Sequence, residues 1–350
     1  MSVKVAVIGH FGEGACLLNG QTVKTKIITE ELQNQLGKSQ VLKIDTHGGW
    51  KTLLKAPFQV FYALFRSKNV IILPAQNGLR VFAPLLWGHR LLFRSRKLHY
   101  VVIGGWLPQF VSKRRWLENT LKQFDGIYVE TNTMKTALED QGFGNVYVMP
   151  NCKKLKILTK EELVYPTGVP YKLCTFSRVM KEKGIETAVN AVKKVNEQLG
   201  YTAYTLDIYG QIDSAQTEWF EAVKSKFPVY VRYCGCVDPQ QSVKVLRDYF
   251  ALVFATHFYT EGIPGTIIDA YAAGIPVICA RWESYADVID EGATGLGYDL
   301  DCDWQLEAVL LEAVRKPENL ICLKENCIYK AKRYTSEIGA LILMERIDNE

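Results

Sequence analysis

Short apolar runs alternate along the chain with longer segments whose apolar residues recur at helical spacing, the pattern of repeated βα units and parallel sheets. In the front half the runs predict strands at Val3–Gly9, Val41–Asp45, Val70–Leu73, Leu98–Gly104, Gly126–Glu130 and Val146–Met149. Helical patterns fall between them at Thr22–Leu36, Lys51–Arg66, Val81–Phe93, Lys113–Phe124 and Asn132–Gln141. Pro150-Asn151 breaks the rhythm, and the Lys-rich stretch to Val169 reads as a linker. Strands then resume at Lys172–Phe176, Thr205–Tyr209, Val229–Tyr233, Leu252–Ala255 and Pro276–Ala280. The expected architecture is α/β, with two doubly wound domains in series. Such sheets bind ligands outside the carboxyl ends of their strands, so the loops after Gly9, Gly104, Phe176, Tyr209 and Ala255 are where chemistry is expected, in a cleft between the domains.

A length of 350 residues suits two domains, and 48% hydrophobic with 23% charged residues is an ordinary globular balance. No run approaches the ~18 apolar residues of a membrane span, and the amino terminus reads as a strand rather than a signal peptide, so the chain is expected to stay in the cytosol. Nine scattered cysteines read as thiols, with the Cys234-Gly235-Cys236 pair lacking the second pair a zinc site needs. Charge is divided unevenly. Residues 1–150 hold 19 Lys/Arg and 9 Asp/Glu (19 − 9 = +10), and residues 151–350 hold 23 and 28 (23 − 28 = −5). The front half is therefore the one that would meet an anionic surface or substrate.

Two segments of the back half carry candidate chemistry. After the strand ending at Phe176, the run Ser177–Gly184 places Arg178 and Lys183 just before a helix start, where the dipole already favours an anion such as a diphosphate. From Thr256 to Val277 the chain leaves a strand through a loop containing Glu261, Gly262, Ile263, Pro264, Gly265 and Thr266, then runs as a helix past Asp269 to Gly274 as its cap.

Together these segments resemble the retaining glycosyltransferases of the GT-B fold, in particular family four of capsule, O-antigen and exopolysaccharide synthesis. That family's signature is a Glu, seven residues, a second Glu, and an A-x-x-G-x-P-V strand entry. Asn19-Gly20-Gln21-Thr22 looks like its first glycine-containing loop, and Val148-Met149-Pro150-Asn151 looks like its strand-to-linker element. The resemblance implies two Rossmann-like domains facing across a cleft: an acceptor domain over 1–165, a donor domain over 166–332, and a last helix, 333–350, crossing back onto the front domain. It implies that Arg178 and Lys183 clamp the donor diphosphate against the charge that grows as the nucleotide leaves. Glu261 would hold sugar hydroxyls, the backbone around Gly262–Thr266 would meet sugar and phosphate, and Asp269 would hold the ribose. Ser177, Tyr209, Gly210 and Gly20 would complete the donor site. No metal is expected, since the cations and the helix end take its part, and no D-x-D motif is placed to bind one. No other cofactor is implied.

Two positions depart from the family. Asp269 stands where a Glu is usual, one methylene shorter. The fourth front strand ends in Gly104-Gly105-Trp106 where many relatives carry a His. Its own His99 lies at the wrong end of the strand and reads as a packing residue. The glycines permit close backbone approach, Trp106 could serve as a sugar platform, and His10 after the first strand is the better-placed histidine for the acceptor side.

Lys51, Lys55 and Arg66 share one face of an otherwise apolar and aromatic helix, and Trp87–Lys97 and Lys113–Trp116 add basic-aromatic clusters. Two readings stay open: docking on an anionic membrane, or buried helices with a solvated cationic edge. Nucleic acid is not expected, because no recognition module accompanies the charge. The expected function is transfer of a sugar, with retention, from a nucleotide-diphosphate sugar (UDP favoured over GDP) to a glycan or lipid-linked oligosaccharide. The alternatives are a non-catalytic GT-B scaffold or activator subunit, and a sugar-nucleotide epimerase or phosphorylase on the same fold. A nicotinamide enzyme is remote, since Gly9–Gly14 is only a partial glycine fingerprint.

Overall fold

The computed structural model describes residues 3–12, 14, 20–48 and 50–347, with the backbone alone for 50–53. The chain divides into two compact units, Met1–Lys154 with Tyr334–Glu350, and Leu155–Arg333. The first division falls eleven residues before the expected 165/166, and the second one residue after 332/333.

In the first unit the order is β1 (Val3–Gly9), α1 (Gly20–Leu36), β2 (Val41–Asp45), α2 (Trp50–Arg66), β3 (Ser67–Leu73) and α3 (Gln76–Arg90). It continues with β4 (Lys97–Val101), α4 (Leu107–Ser112), α5 (Arg115–Leu121), β5 (Gly126–Val129), α6 (Asn132–Glu139) and β6 (Val146–Val148). The six strands form one parallel sheet, ordered β2-β1-β3-β4-β5-β6. Ile8, Val70, Ile72, Leu98 and Tyr100 pack under α2 and α3 on one face, and Val5, Val7, Ile71 and Val101 on the other. Both faces being covered is what makes these strands read as nearly continuous apolar runs. The chain's last helix also packs on α1 of this unit, where Leu343 and Ile347 join Ile28 and Leu32.

The second unit holds β7 (Tyr171–Phe176), α7 (Ile185–Leu199), β8 (Tyr204–Tyr209), α8 (Thr217–Lys224), β9 (Val231–Gly235), α9 (Ser242–Leu246) and β10 (Ala251–Phe254). Then come α10 (Gly265–Ala272), β11 (Val277–Arg281), α11 (Tyr285–Val288), β12 (Gly295–Asp299), α12 (Asp303–Arg315), α13 (Glu318–Ile321) and α14 (Lys324–Ala331); the chain's last helix is α15 (Ser336–Ile347). Its parallel sheet runs β12-β11-β10-β7-β8-β9. The strand order reverses between β7 and β10, so the loops leaving those two strands diverge and open a crevice at their carboxyl ends.

Several boundaries differ from expectation for visible reasons. The fourth strand stops at Val101 rather than Gly104, because the backbone turns at Gly104 (φ 79°) and Lys24 takes the Val102 carbonyl. The expected helix Lys113–Phe124 is shorter, α5 at Arg115–Leu121, because Arg114 ahead of it leaves helical geometry (φ −144°, ψ 72°), and α4 at Leu107–Ser112 was not expected. Strand β12 was not among the expected strands; Gly295 lies so close to β11 that an added Cβ would meet the Val277 carbonyl oxygen at 2.2 Å. Val229, expected in a strand, is fully exposed in the turn before β9. All eight cysteines among the described residues are free thiols.

One buried base makes stability depend on pH. Lys324 is 1% exposed and donates to the carbonyls of Tyr249 (3.3 Å) and Gly274 (3.2 Å). Burial lowers its pKa from 10.5 to about 8 against the opposing pull of Cys327 and Asp248. Between those values the unfolded chain binds the extra proton, so this group's contribution to stability rises with pH, by up to about 1.4 kcal/mol per unit. Urea unfolding across this window should show the wild type gaining stability relative to Lys324→Met as pH rises; a difference between the two independent of pH contradicts a folded-state shift.

Candidate active site

The β7/β10 crevice is built by close backbone approach. Gly184, between the β7 exit loop and α7, is left-handed (φ 66°), and a Cβ there would lie 1.8 Å from the Ala255 carbonyl oxygen. Gly210 after β8 (φ 136°) is likewise pressed on the Ser177 carbonyl, also at 1.8 Å. Only glycine fits at either point. The three exits are stitched by backbone bonds from Ser177 to Tyr209 (3.2 Å), Val179 to Gln211 (2.9 Å) and His257 to Glu182 (2.8 Å).

This stitching carries Lys183 to Glu261. The two form an ion pair with 17% and 15% of their side chains exposed. The ammonium lies 5.4 Å from the Phe254 ring centre and 5.0 Å from that of Phe258, while Thr256 donates to the same Glu261 oxygen at 3.1 Å. The two nearby rings thin the water around the pair and strengthen its electrostatics. Arg178 is half exposed and held loosely by Asp213 at 3.4 Å, free to turn toward a ligand. The positive end of α10 begins at Gly265 behind Pro264, and the Thr266 hydroxyl in its first turn is buried without a hydrogen-bond partner. Two cations, a helix start and an orphaned donor thus surround one crevice, the equipment for holding an anion that carries hydroxyls. Gly262 and Ile263, just ahead of α10, are buried.

The remaining donor-side candidates are more enclosed. The Asp269 carboxylate is 3% exposed and accepts from the Ser242 hydroxyl of α9 at 3.1 Å. The Tyr209 hydroxyl bonds that of Tyr249 (2.9 Å), which donates to Asp207 at 2.6 Å. Burial opposes ionisation of Asp207, but Arg232 and Tyr249 outweigh it and keep its carboxyl below the usual range. Thr256, Phe254, Phe258 and Ser242 were not among the expected site residues; the first three lie just ahead of the E-x7-D run, which was the available signal.

In the first unit, His10 Nδ1 lies 2.8 Å from the Thr22 hydroxyl and Nε2 3.1 Å from His47 Nδ1, beside Asp45, which accepts from the amides of Phe11 (2.9 Å) and His47 (2.8 Å). Burial and His47 lower the His10 pKa against the pull of Asp45. The Gly104 amide donates to Glu130 at 3.2 Å, Gly105 is buried, and the Trp106 indole donates to the Ile103 carbonyl at 2.7 Å while its ring packs edge-on against Phe110. His99 is buried between the Tyr128 hydroxyl (3.1 Å) and Asn69 (3.2 Å), with its pKa lowered to about 4 by burial. Gly20 opens α1; Asn19 beside it lies outside the described residues. Among the described residues no three His, Cys, Asp or Glu side chains gather as a metal site.

Residues 170–313, 144 of the 350, match the family model described as Glycosyl transferases group 1. The GtfA subunit of a UDP-N-acetylglucosamine–peptide N-acetylglucosaminyltransferase from Streptococcus agalactiae is 29% identical over 133 residues, 38% of this chain. The amylovoran biosynthesis glycosyltransferase AmsK of Erwinia amylovora is 27% identical over 131 residues, 36% of this chain. These matches span 24% and 31% of those relatives' own lengths. Among solved structures, Anabaena HepE with UDP-glucose superposes with a TM-score of 0.74 at 14% identity, covering 99% of this chain and 100% of that one. The lipopolysaccharide outer core galactosyltransferase WaaB gives 0.73 at 15%, covering 99% of each. The fold is therefore that of the GT-B glycosyltransferases, two Rossmann-like α/β units, and the family match supports sugar transfer.

Proposed function

We propose that the protein is a retaining, metal-independent glycosyltransferase that takes a sugar from a UDP-sugar and places it on a glycan or lipid-linked oligosaccharide of a cell-surface polysaccharide. The observation that carries the reading is the Lys183–Glu261 pair at the β7/β10 crossover, beside Arg178 and the start of α10. A diphosphate entering the crevice recruits Lys183 and Arg178 from Glu261 and Asp213. Glu261 is then released to accept hydrogen bonds from sugar hydroxyls. As the bond from the anomeric carbon to the diphosphate oxygen breaks, both cations neutralise the charge that gathers there. The acceptor oxygen bonds the same face of that carbon, and its proton passes to the departing diphosphate. Asp269, buried against Ser242, supports the ribose in this reading through the α10 backbone or by a small shift of the helix. UDP is favoured by the names of the relatives, one acting with UDP-N-acetylglucosamine and one solved with UDP-glucose. A glycan acceptor is favoured by the amylovoran and lipopolysaccharide enzymes. Arg178, Lys183 and Glu261 in one crevice argue against a purely scaffolding subunit.

Slow hydrolysis of UDP-α-glucose or UDP-α-N-acetylglucosamine, followed by proton NMR, tests the stereochemistry without an acceptor. The first-formed sugar should be the α anomer. A β anomer would overturn retention, and intact donors with every UDP-sugar tried would overturn sugar transfer from UDP donors.

A further inference from the structure

Helix α2 is packed inside out. Its small and branched residues Ala56, Val60, Ala63 and Leu64 are fully buried against the sheet, whereas Leu54, Phe58, Phe61, Tyr62 and Phe65 face outward. These five recur at i, i+4, i+7, i+8 and i+11, a single stripe along the helix. Phe58 is 79% exposed and Phe65 60%. The stripe does not end with the helix: Phe61 meets Phe93 edge-on at 5.5 Å, and beside Phe93 stand Leu91 and Leu92, 62% and 75% exposed. Isolated exposed apolar residues are ordinary, but a contiguous bulky set marks a surface made to be covered.

The charge around it says what covers it. Lys55 and Arg94 are exposed on the two segments, and Arg66 lies over the Tyr62 ring at 5.6 Å. From Thr46 to Leu117 the sequence has twelve Lys/Arg and no Asp or Glu in 72 residues. A second copy of this chain pairing symmetrically would set this basic rim against itself with no acid in the segment to offset it. Aliphatic side chains such as Leu54, Leu91 and Leu92 offer no stacking platform for nucleic-acid bases. Bulky apolar groups inside a cationic rim fit acyl chains beneath anionic headgroups. No helix among the described residues is long and apolar enough to cross a membrane.

We propose that the outer face of α2 and the Leu91–Arg94 turn is a monotopic docking surface for an anionic lipid bilayer, with the aromatic stripe entering the interface. It rests on the first unit alone and does not depend on the donor-site reading. The test is flotation of the full chain with vesicles of phosphatidylglycerol mixed into phosphatidylcholine, against vesicles of phosphatidylcholine alone. Binding to the anionic vesicles should be at least about tenfold tighter and should fall with salt. Phe58→Ser with Phe65→Ser should weaken it about tenfold or more. Lys55→Glu with Arg94→Glu should bring anionic binding down toward the neutral level. All four side chains are exposed, so unchanged thermal unfolding is expected and separates lost binding from lost folding. No partition into anionic vesicles, equal partition into both, or a dimer that the Phe58→Ser/Phe65→Ser variant converts to monomer would overturn the proposal.

Discussion

Lys183→Ala should lower the rate of sugar transfer by about a hundred- to a thousandfold while the protein stays folded. Removing one preorganised group that stabilises transition-state charge costs this much where water is thinned, and Lys183 lies within 5.4 Å of both the Phe254 and Phe258 ring centres. Its pair with Glu261 is part-exposed, and Glu261 keeps its Thr256 partner in the variant, so the stability cost should be about 1 kcal/mol. Arg178→Ala should lose less, since that side chain is half exposed. Steady-state rates with a saturating donor, beside an unfolding curve for each variant, check this. Wild-type turnover in Lys183→Ala would remove the diphosphate clamp from the account.

The second large effect lies in the first unit and is one of stability. Lys24 of α1 and Glu130 after β5 form an ion pair at 2.7 Å with each side chain 2% exposed. Lys24 also donates to the Val102 carbonyl at 2.9 Å, and the same Glu130 oxygen accepts from the Gly104 amide. Lys24→Met keeps the volume but leaves a buried carboxylate without its cation, a loss of about 3–5 kcal/mol. Against a whole stability of about 5–15 kcal/mol, the unit should unfold at markedly lower urea. Lys24→Met with Glu130→Met should recover most of the loss, since replacing both charges removes the uncompensated group. A Lys24→Met midpoint equal to the wild type would contradict the pair. Because Glu130 also holds Gly104, the pair fixes the backbone of the Gly104-Gly105-Trp106 turn.

That pair marks where sequence reasoning stops. Lys24 and Glu130 are 106 residues apart, and nothing local distinguishes Lys24 from the half-buried Lys26 of the same helix. The alternation of strands and helices was legible because parallel strands covered on both faces cannot hide their apolar runs. Arg178, Lys183 and Glu261 stood out because their two segments together resemble a glycosyltransferase signature, which neither segment does alone. Their meeting was not visible, since it depends on the reversal of strand order between β7 and β10 and on Gly184 yielding to the Ala255 carbonyl. The Asp269–Ser242 bond was hidden in the same way, 27 residues apart across α9 and α10. Helix α2 was legible in part. Its basic and aromatic pattern left a docking face and a buried helix both open, and that the small residues are inside and the large ones out is a distinction that periodicity alone does not make.

The most direct test of the central claim is a calorimetric titration of UDP and of a UDP-sugar into the wild type, Arg178→Ala and Lys183→Ala. The account predicts binding to the wild type and at least about a tenfold loss in each variant, for UDP as well as its sugar, because the diphosphate is the shared group that both cations hold. Equal affinity in all three proteins, or no binding to the wild type, would contradict a diphosphate site at the β7/β10 crevice.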